Sequence, residues 1–286
     1  MGALPLISVC IPAYNNQDFI AFAIESVLNQ TYGNYELIIT DDKSSDHTVS
    51  VIKGFSDPRI RFLQNDVNLG IGGNWNKALS CASGKYVKLL CGDDILYPEC
   101  LQRQLKLLEA PENSSVALAI CSTNVINARN EIVLQRRAFR SGRINGPKLV
   151  RECVRWGTNL IGEPAVGLFR REWLAKTGLF DPSNPYLIDL VFWAELLKHG
   201  DAIVDPNRLA AFRISSGSLS AKIGLKQAAG FRAFIRKIHQ EPLYQTRWYD
   251  VFSGSMLSLQ WCFLRNVFIQ CRSGRRLQKS RPQMSS

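Results

Sequence analysis

Short apolar runs alternate with stretches whose apolar residues recur every three or four positions, and the alternation is regular through the first third of the chain. Leu6-Ile7-Ser8-Val9-Cys10-Ile11 is a β-branched run closed by Pro12, which reads as a buried strand. Over 17–31 the apolar positions Phe19, Ile20, Ala23, Ile24, Val27 and Leu28 have helical spacing. Residues 35–40 predict a second strand ending in Asp41-Asp42. Ser45 or Asp46 then caps a helix over about 47–55. A third strand follows over 60–64, a helix over 73–83, and a fourth strand over 85–90 that runs into Gly92-Asp93-Asp94. Pro98 opens a helix over about 98–109.

Strands and helices alternating at this pitch predict an α/β fold with a doubly wound, mostly parallel sheet flanked by helices. Ligands of such sheets bind outside the carboxyl ends of the strands. Both aspartate pairs stand at such ends, a positional argument that needs nothing but the pattern.

The remainder is less regular. The pattern predicts strands over 116–125 and 131–137, a helix over 147–156, a strand-like stretch over 164–169, a helix over 187–199, an extended return over 202–213 and a helix over 220–240. Residues 243–271 carry an aromatic, apolar helical pattern with few charges. There is no internal repeat and no low-complexity linker. The expected division is therefore a catalytic domain over 1–220, with a nucleotide-binding half (1–110) and an acceptor half (111–220), followed by a C-terminal helical extension over 221–286.

Composition changes this picture in three respects. Of 286 residues 46% are hydrophobic, enough for a large core and too many for disorder. The formal charge is +11, and from Trp261 onward there are six basic residues and no acidic one. A basic tail behind an aromatic helix is the footprint of an interfacial membrane element, with a solvated terminus or a partner-packing helix as the plainer alternatives. No recognised reading motif accompanies it, so nucleic acid is not an expected partner. The eight cysteines form no CxxC pair and histidine is scarce, which argues against structural zinc and predicts reduced thiols in a cytoplasmic setting. The N-terminus lacks a basic region, and no run of about 18 apolar residues occurs, so neither a signal peptide nor a spanning helix is expected.

Asp41-Asp42 can accept hydrogen bonds from a nucleobase N–H or from ribose hydroxyls, or can simply close a surface turn. Asp93-Asp94 beside a diphosphate requires a cation between the anions. Mg²⁺ or Mn²⁺ takes hard oxygen ligands, bridges carboxylate to phosphate and neutralises a departing diphosphate. The plainer reading is a pair of dipole-compensating acids before the helix opened by Pro98. Gly70-Ile71-Gly72-Gly73 is not a dinucleotide loop, because its third glycine is misplaced and it follows the third strand. Its expected role is a flexible rim near the donor.

Taken in order, Pro12-Ala13-Tyr14-Asn15, Ser26-Val27-Leu28-Asn29-Gln30-Thr31-Tyr32, Tyr35 through Asp46, Asn68-Leu69-Gly70, Ala82-Ser83-Gly84-Lys85-Tyr86 and Gly92-Asp93-Asp94 resemble family 2 glycosyltransferases. Gly162-Glu163-Pro164 to Arg171 and Gly178-Leu179-Phe180-Asp181 extend the likeness, which covers roughly residues 5–220. The resemblance implies a GT-A fold, a nucleotide-diphospho-sugar donor such as a UDP- or dTDP-sugar, Mn²⁺ or Mg²⁺, and inversion at the anomeric carbon. It would put Pro12, Ala13 and Tyr14 around the nucleobase, and Asp42 on the base with Asp41 beside it. Asn68 and Gly70 would lie near the donor. Asp93 would meet ribose or metal, and Asp94 would be the main metal ligand. Asp189 stands where such proteins carry the general base that an attacking sugar hydroxyl needs. Glu163 is its rival as base or acceptor contact.

Two departures weaken the metal site. Cys91 stands where many relatives have the first Asp of Asp-x-Asp-Asp, and Arg213-Ile214-Ser215 replaces an Arg-x-His whose His would be a ligand. The pattern Gln-x-x-Arg-Trp of polymerising relatives is absent, which implies transfer of a single sugar. The expected role is cell-surface polysaccharide synthesis on a glycan or lipid-linked acceptor, peripherally at the inner face of the membrane, with oligomers compatible. The alternatives are a non-catalytic nucleotide-sugar or glycan-binding protein of the same fold, and a nucleotidyltransferase, which lacks its basic Gly-rich N-terminal loop here.

Overall fold

The computed structural model describes residues 6–214 and 225–272. Four parallel strands make up the first half of the sheet: β1 (Ile7–Ala13), β2 (Tyr35–Asp41), β3 (Ile60–Gln64) and β4 (Tyr86–Leu89). They lie in the order β3-β2-β1-β4, linked by the helices α1 (Ile20–Leu28), α2 (Thr48–Lys53) and α3 (Gly70–Ser80). Every residue of β1 is buried, as a strand covered on both faces requires. In register Ala13 faces Asp41 and Asp41 faces Gln64, so these strands end along one line.

Beyond β4 come β5 (Ile95–Leu96) and α4 (Cys100–Glu109), then β6 (Val116–Ile126), β7 (Ile132–Arg136), β8 (Gly142–Ile144) and α5 (Gly146–Trp156). The short β9 (Leu168–Arg170) lies antiparallel between β4 and β6 and joins the halves. After α6 (Leu174–Thr177) and α7 (Ile188–Leu196), β10 (Asp201–Arg213) runs parallel to β6 and carries β5 and β8 antiparallel. Pro206 falls where the β10 register slips, a position a donor-less residue tolerates. Two helices follow, α8 (Leu225–His239) and α9 (Trp248–Arg272). Phe231, Phe234, Ile235 and Ile238 of α8 belong to the same core as the sheet, and the Tyr244 hydroxyl donates to the Ala194 carbonyl, so these C-terminal elements share one packed body. Among the described residues no helix is long and apolar enough to cross a membrane.

Two local expectations change. Pro164–Val166 is a single helical turn, not a strand, and only Leu168–Arg170 is extended; the fixed φ of Pro164 starts the turn. Gly70–Gly73 is not a free rim but the first turn of α3. A Cβ on Gly72 would come within 2.7 Å of Pro182, and one on Gly73 within 2.7 Å of Leu69, so these glycines permit close packing. Ser215 and the residues after Arg272, including most of the basic tail, lie outside the described residues.

The close seat of α9 on α5 gives one prediction. A Cβ on Gly254 would lie 1.8 Å from the Val154 carbonyl oxygen and 3.1 Å from Ile235. Gly254→Val should cost about 3 kcal/mol, read as a lowered unfolding temperature and faster proteolysis within α9. An unchanged midpoint would contradict the packing.

Candidate active site

The loops after β1 and β2 are zipped together by side chains. Asn15 N–H donates to Ser44 Oγ at 2.9 Å, and Ser45 N–H to Asn15 Oδ1 at 2.9 Å. Gln17 and Asp46 continue the exchange, since Gln17 N–H donates to Asp46 Oδ2 and His47 N–H to Gln17 Oε1. Asp46 Oδ1 also takes the Thr48 N–H from one residue before the cap; the N-cap of α2 is His47, without a side-chain cap bond, and not the expected Ser45 or Asp46. Asn15 and Lys43 both have positive φ, 50° and 60°. Asn tolerates that region readily, whereas Lys43 holds it only because the surrounding bonds impose it.

Asp41 and Asp42 divide the work of shaping this edge. Asp41 is fully buried; its carboxylate accepts the Ser44 hydroxyl, the Ser44 N–H at 3.0 Å and Gln64 Nε2 at 3.3 Å. Its carboxylate thus closes the turn, the plainer of the two roles the sequence left open for this pair. Asp42 Oδ1 accepts the Leu69 N–H at 2.8 Å and Asn65 Nδ2 at 2.9 Å, and its carbonyl accepts Asn68 Nδ2 at 3.0 Å. Asn68 Oδ1 in turn accepts the Gly70 N–H. Asp42 therefore ties the 65–70 loop to the end of β2, while Tyr14, at the end of β1, stays exposed. Buried Asn74 of α3 fastens the corner, donating to the carbonyls of Ala13 and Thr40. Nothing in the sequence signalled Asn74.

The second aspartate pair is held from across the sheet. Asp94 is buried, and its Oδ1 accepts the Arg213 backbone N–H at 2.9 Å, while its Oδ2 has no hydrogen-bond partner among the described residues. Buried Arg213 donates Nε to the Asp93 carbonyl at 2.7 Å and Nη1 to the Asn127 carbonyl at 2.8 Å, and its guanidinium lies 4.6 Å from the centre of the Phe19 ring. Burial raises the Asp94 carboxyl well above the ordinary range, and the neighbouring Asp93 adds to the rise. Asp93 is raised too, mainly by burial, with Arg213 pulling the other way. Gly92 leaves room for the Asn16 side chain: a Cβ on it would meet Asn16 Oδ1 at 2.8 Å and push that side chain aside.

Asp189 and Glu163 complete the arrangement. Burial pushes the Cys91 thiol well up, and the charges of Asp94, Asp93, Asp189 and Glu163 add to the rise. Asp189 lies in the first turn of α7, where its Oδ1 accepts the Leu190 N–H at 2.7 Å and its Oδ2 accepts Asn159 Nδ2 at 3.1 Å. Asn159 Oδ1 also takes the N–H groups of Ile161 and Gly162, which shapes the loop leading to Glu163. Glu163 is engaged by Arg136 in a two-pronged pair, Nη1 to Oε1 at 2.8 Å and Nη2 to Oε2. Arg136 is further held by Thr123 Oγ1. Sequence reading missed Arg136, Asn159 and the bracing by Arg213; an arginine pair, Arg136-Arg137, at the end of an alternating stretch was the trace of the first.

Two carboxylates on a strand-end turn, one with a buried unpartnered oxygen, suit a hard divalent cation that completes its shell with substrate phosphates. No group of three or more His, Cys, Asp or Glu forms a protein cage among the described residues. The Cys91 thiol, held protonated, adds no hard oxygen.

A parallel sheet with an acidic strand-end crevice, extended by antiparallel strands, defines a glycosyltransferase of the GT-A type. The fold matches a mannosyltransferase from Pyrobaculum calidifontis solved with GDP-Man and Mn²⁺ at a TM-score of 0.65 and 17% identity, covering 94% of this chain and 75% of that one. The family model for glycosyl transferase family 2 matches residues 8–178, and the chain belongs to that family. It is 33% identical over 231 residues to an uncharacterized protein of Mycobacterium tuberculosis, covering 77% of this chain and 71% of that one. It is 28% identical over 221 residues to the UDP-Glc:alpha-D-GlcNAc-diphosphoundecaprenol beta-1,3-glucosyltransferase WfaP of Escherichia coli, covering 76% and 81%.

Proposed function

We propose that this protein transfers a single hexosyl residue from a nucleotide-diphospho-sugar, a UDP- or dTDP-sugar, to a hydroxyl of a glycan or lipid-linked acceptor, inverting the anomeric carbon, in cell-surface polysaccharide synthesis. The observation that carries this reading is the buried Asp94 Oδ2, which has no hydrogen-bond partner among the described residues, next to Asp93 at the end of a strand. In this reading Pro12, Ala13 and Tyr14 form the wall for the nucleobase, and Asp42, with Asn68 and Gly70, shapes the ribose and base pocket. Asp94 and Asp93 would hold Mn²⁺ or Mg²⁺, which when bound neutralises the departing nucleoside diphosphate. Asp189 takes the proton of the acceptor hydroxyl as that oxygen bonds to the anomeric carbon and the carbon–oxygen bond to the diphosphate breaks. Attack from the face opposite the leaving group produces inversion. The diphosphoundecaprenol acceptor in the name of the Escherichia coli relative supports a lipid-linked acceptor, and with it a cytoplasmic protein working at the inner membrane face.

The test is a donor screen by thermal unfolding in the presence of Mn²⁺. The correct donor at about a hundred times its dissociation constant should raise the midpoint by about 5–10 °C. Product analysis with that donor should show a transferred sugar of inverted configuration. Binding without turnover across a broad acceptor panel would favour a non-catalytic nucleotide-sugar-binding protein, the reading that Cys91 motivates.

Asn159 separates catalysis from scaffolding. Asn159→Asp keeps the oxygen that accepts from Ile161 and Gly162, but loses the N–H that donates to Asp189 and adds a like charge beside it. Both changes raise the Asp189 pKa. The acid limb of the rate profile should then move to higher pH, because the base becomes ionised later. A profile that keeps its position would separate Asn159 from the base.

A further inference from the structure

The helix α9 buries the side opposite to the one its composition would favour. Asp250, Gly254, Ser258 and Cys262, four residues apart, face α5 and α8: Asp250, Ser258 and Cys262 are buried, and Gly254 meets the Val154 carbonyl. Trp248, Phe252, Met256, Leu259 and Phe263 recur at spacings of four, four, three and four, and all are exposed, with Trp248 at 75%, Phe252 at 65% and Phe263 at 68%. A surface helix ordinarily turns its apolar stripe to the core. Here the close seat at Gly254 admits only small side chains, so the large ones point outward. A contiguous aromatic stripe of this kind marks a surface that meets another phase or partner.

Charge selects the occupant. Asp250, buried against Arg151 at 2.9 Å, is the last acidic residue of the chain. From Trp261 onward the sequence carries six basic residues and no acid. Aromatic and aliphatic side chains on one helical face, continued by arginine and lysine, complement an anionic bilayer: the rings enter the headgroup boundary and the cations meet lipid phosphates. We infer that α9 docks this protein on anionic membrane surfaces through Trp248, Phe252, Met256, Leu259 and Phe263. A second copy of the chain would bury the stripe equally well, but it offers no anionic surface to match the basic sequence that follows.

Full-length protein would be floated with vesicles of phosphatidylcholine containing phosphatidylglycerol, and with vesicles of phosphatidylcholine alone. Binding is expected to the anionic vesicles, weakening as salt rises. Phe252→Ser combined with Phe263→Ser, at exposed positions that do not support the core, should lower the bound fraction at least about tenfold while leaving the unfolding temperature and transfer to a water-soluble acceptor unchanged. Retained activity in that assay keeps a failure here distinct from a failure of the transferase reading. Equal flotation of variant and wild type, or no binding to anionic vesicles, would overturn the inference. So would a concentration-dependent dimer, seen by light scattering, that the double substitution abolishes while the wild type ignores vesicles.

Discussion

Asp189→Asn is expected to leave the protein folded and to lower turnover by about 10²–10⁴-fold, the contribution of a well-placed general base. The volume is unchanged, and the one remaining oxygen can still accept the Leu190 N–H, so α7 keeps its first turn, while the bond from the Asn159 amide to the other oxygen is lost. What is lost is the ability to take a proton from the acceptor hydroxyl. Glu163 is a poor substitute because Arg136 holds both of its oxygens. Donor affinity, measured by calorimetry, should be unaffected, which places the loss in the chemical step. Turnover close to that of the wild type would move the base role to another group, with Glu163→Gln the next variant to make.

Asp94→Asn should separate activity from stability. In metal-free buffer the variant should unfold at a temperature no lower than the wild type, because the substitution removes a buried charge with one oxygen unpartnered and keeps the oxygen that accepts the Arg213 N–H. Turnover should nevertheless fall by about 10²–10³-fold, the scale on which removing one charge-stabilising group acts. The Mn²⁺-dependent part of the donor-induced rise in unfolding temperature should disappear as well. A variant that retains metal-dependent donor binding would sink the assignment of Asp94 as the principal ligand. One that unfolds much earlier would show its carboxylate to be a structural anchor instead.

Much of the fold was legible before any tertiary structure. The runs at 6–11, 35–40, 60–64 and 85–90 became β1 to β4 with ends displaced by a residue or two, because a strand covered on both faces must be apolar throughout. The ordered motifs led to the family that the family model confirms. The second half was read less well. Pro164–Val166 turned out to be a helical turn, and the short β9 that joins the halves antiparallel has only three residues, too few to impose a period.

The sequence by itself determined the parallel first half of the sheet, the position of both aspartate pairs at strand ends and the charge asymmetry of the C-terminal segment, because each is written in local spacing and composition. Only the tertiary structure decided what those aspartates do for the fold. It turned Asp41 inward, set Arg213 on Asp94 from 119 residues away, and clamped Glu163 with Arg136 from 27 residues before it. It also decided that α9 exposes its aromatic stripe, through the contact of Gly254 with Val154, 100 positions earlier by their numbers. Contacts between segments so far apart leave no periodicity in the chain; they exist only once packing brings those segments together.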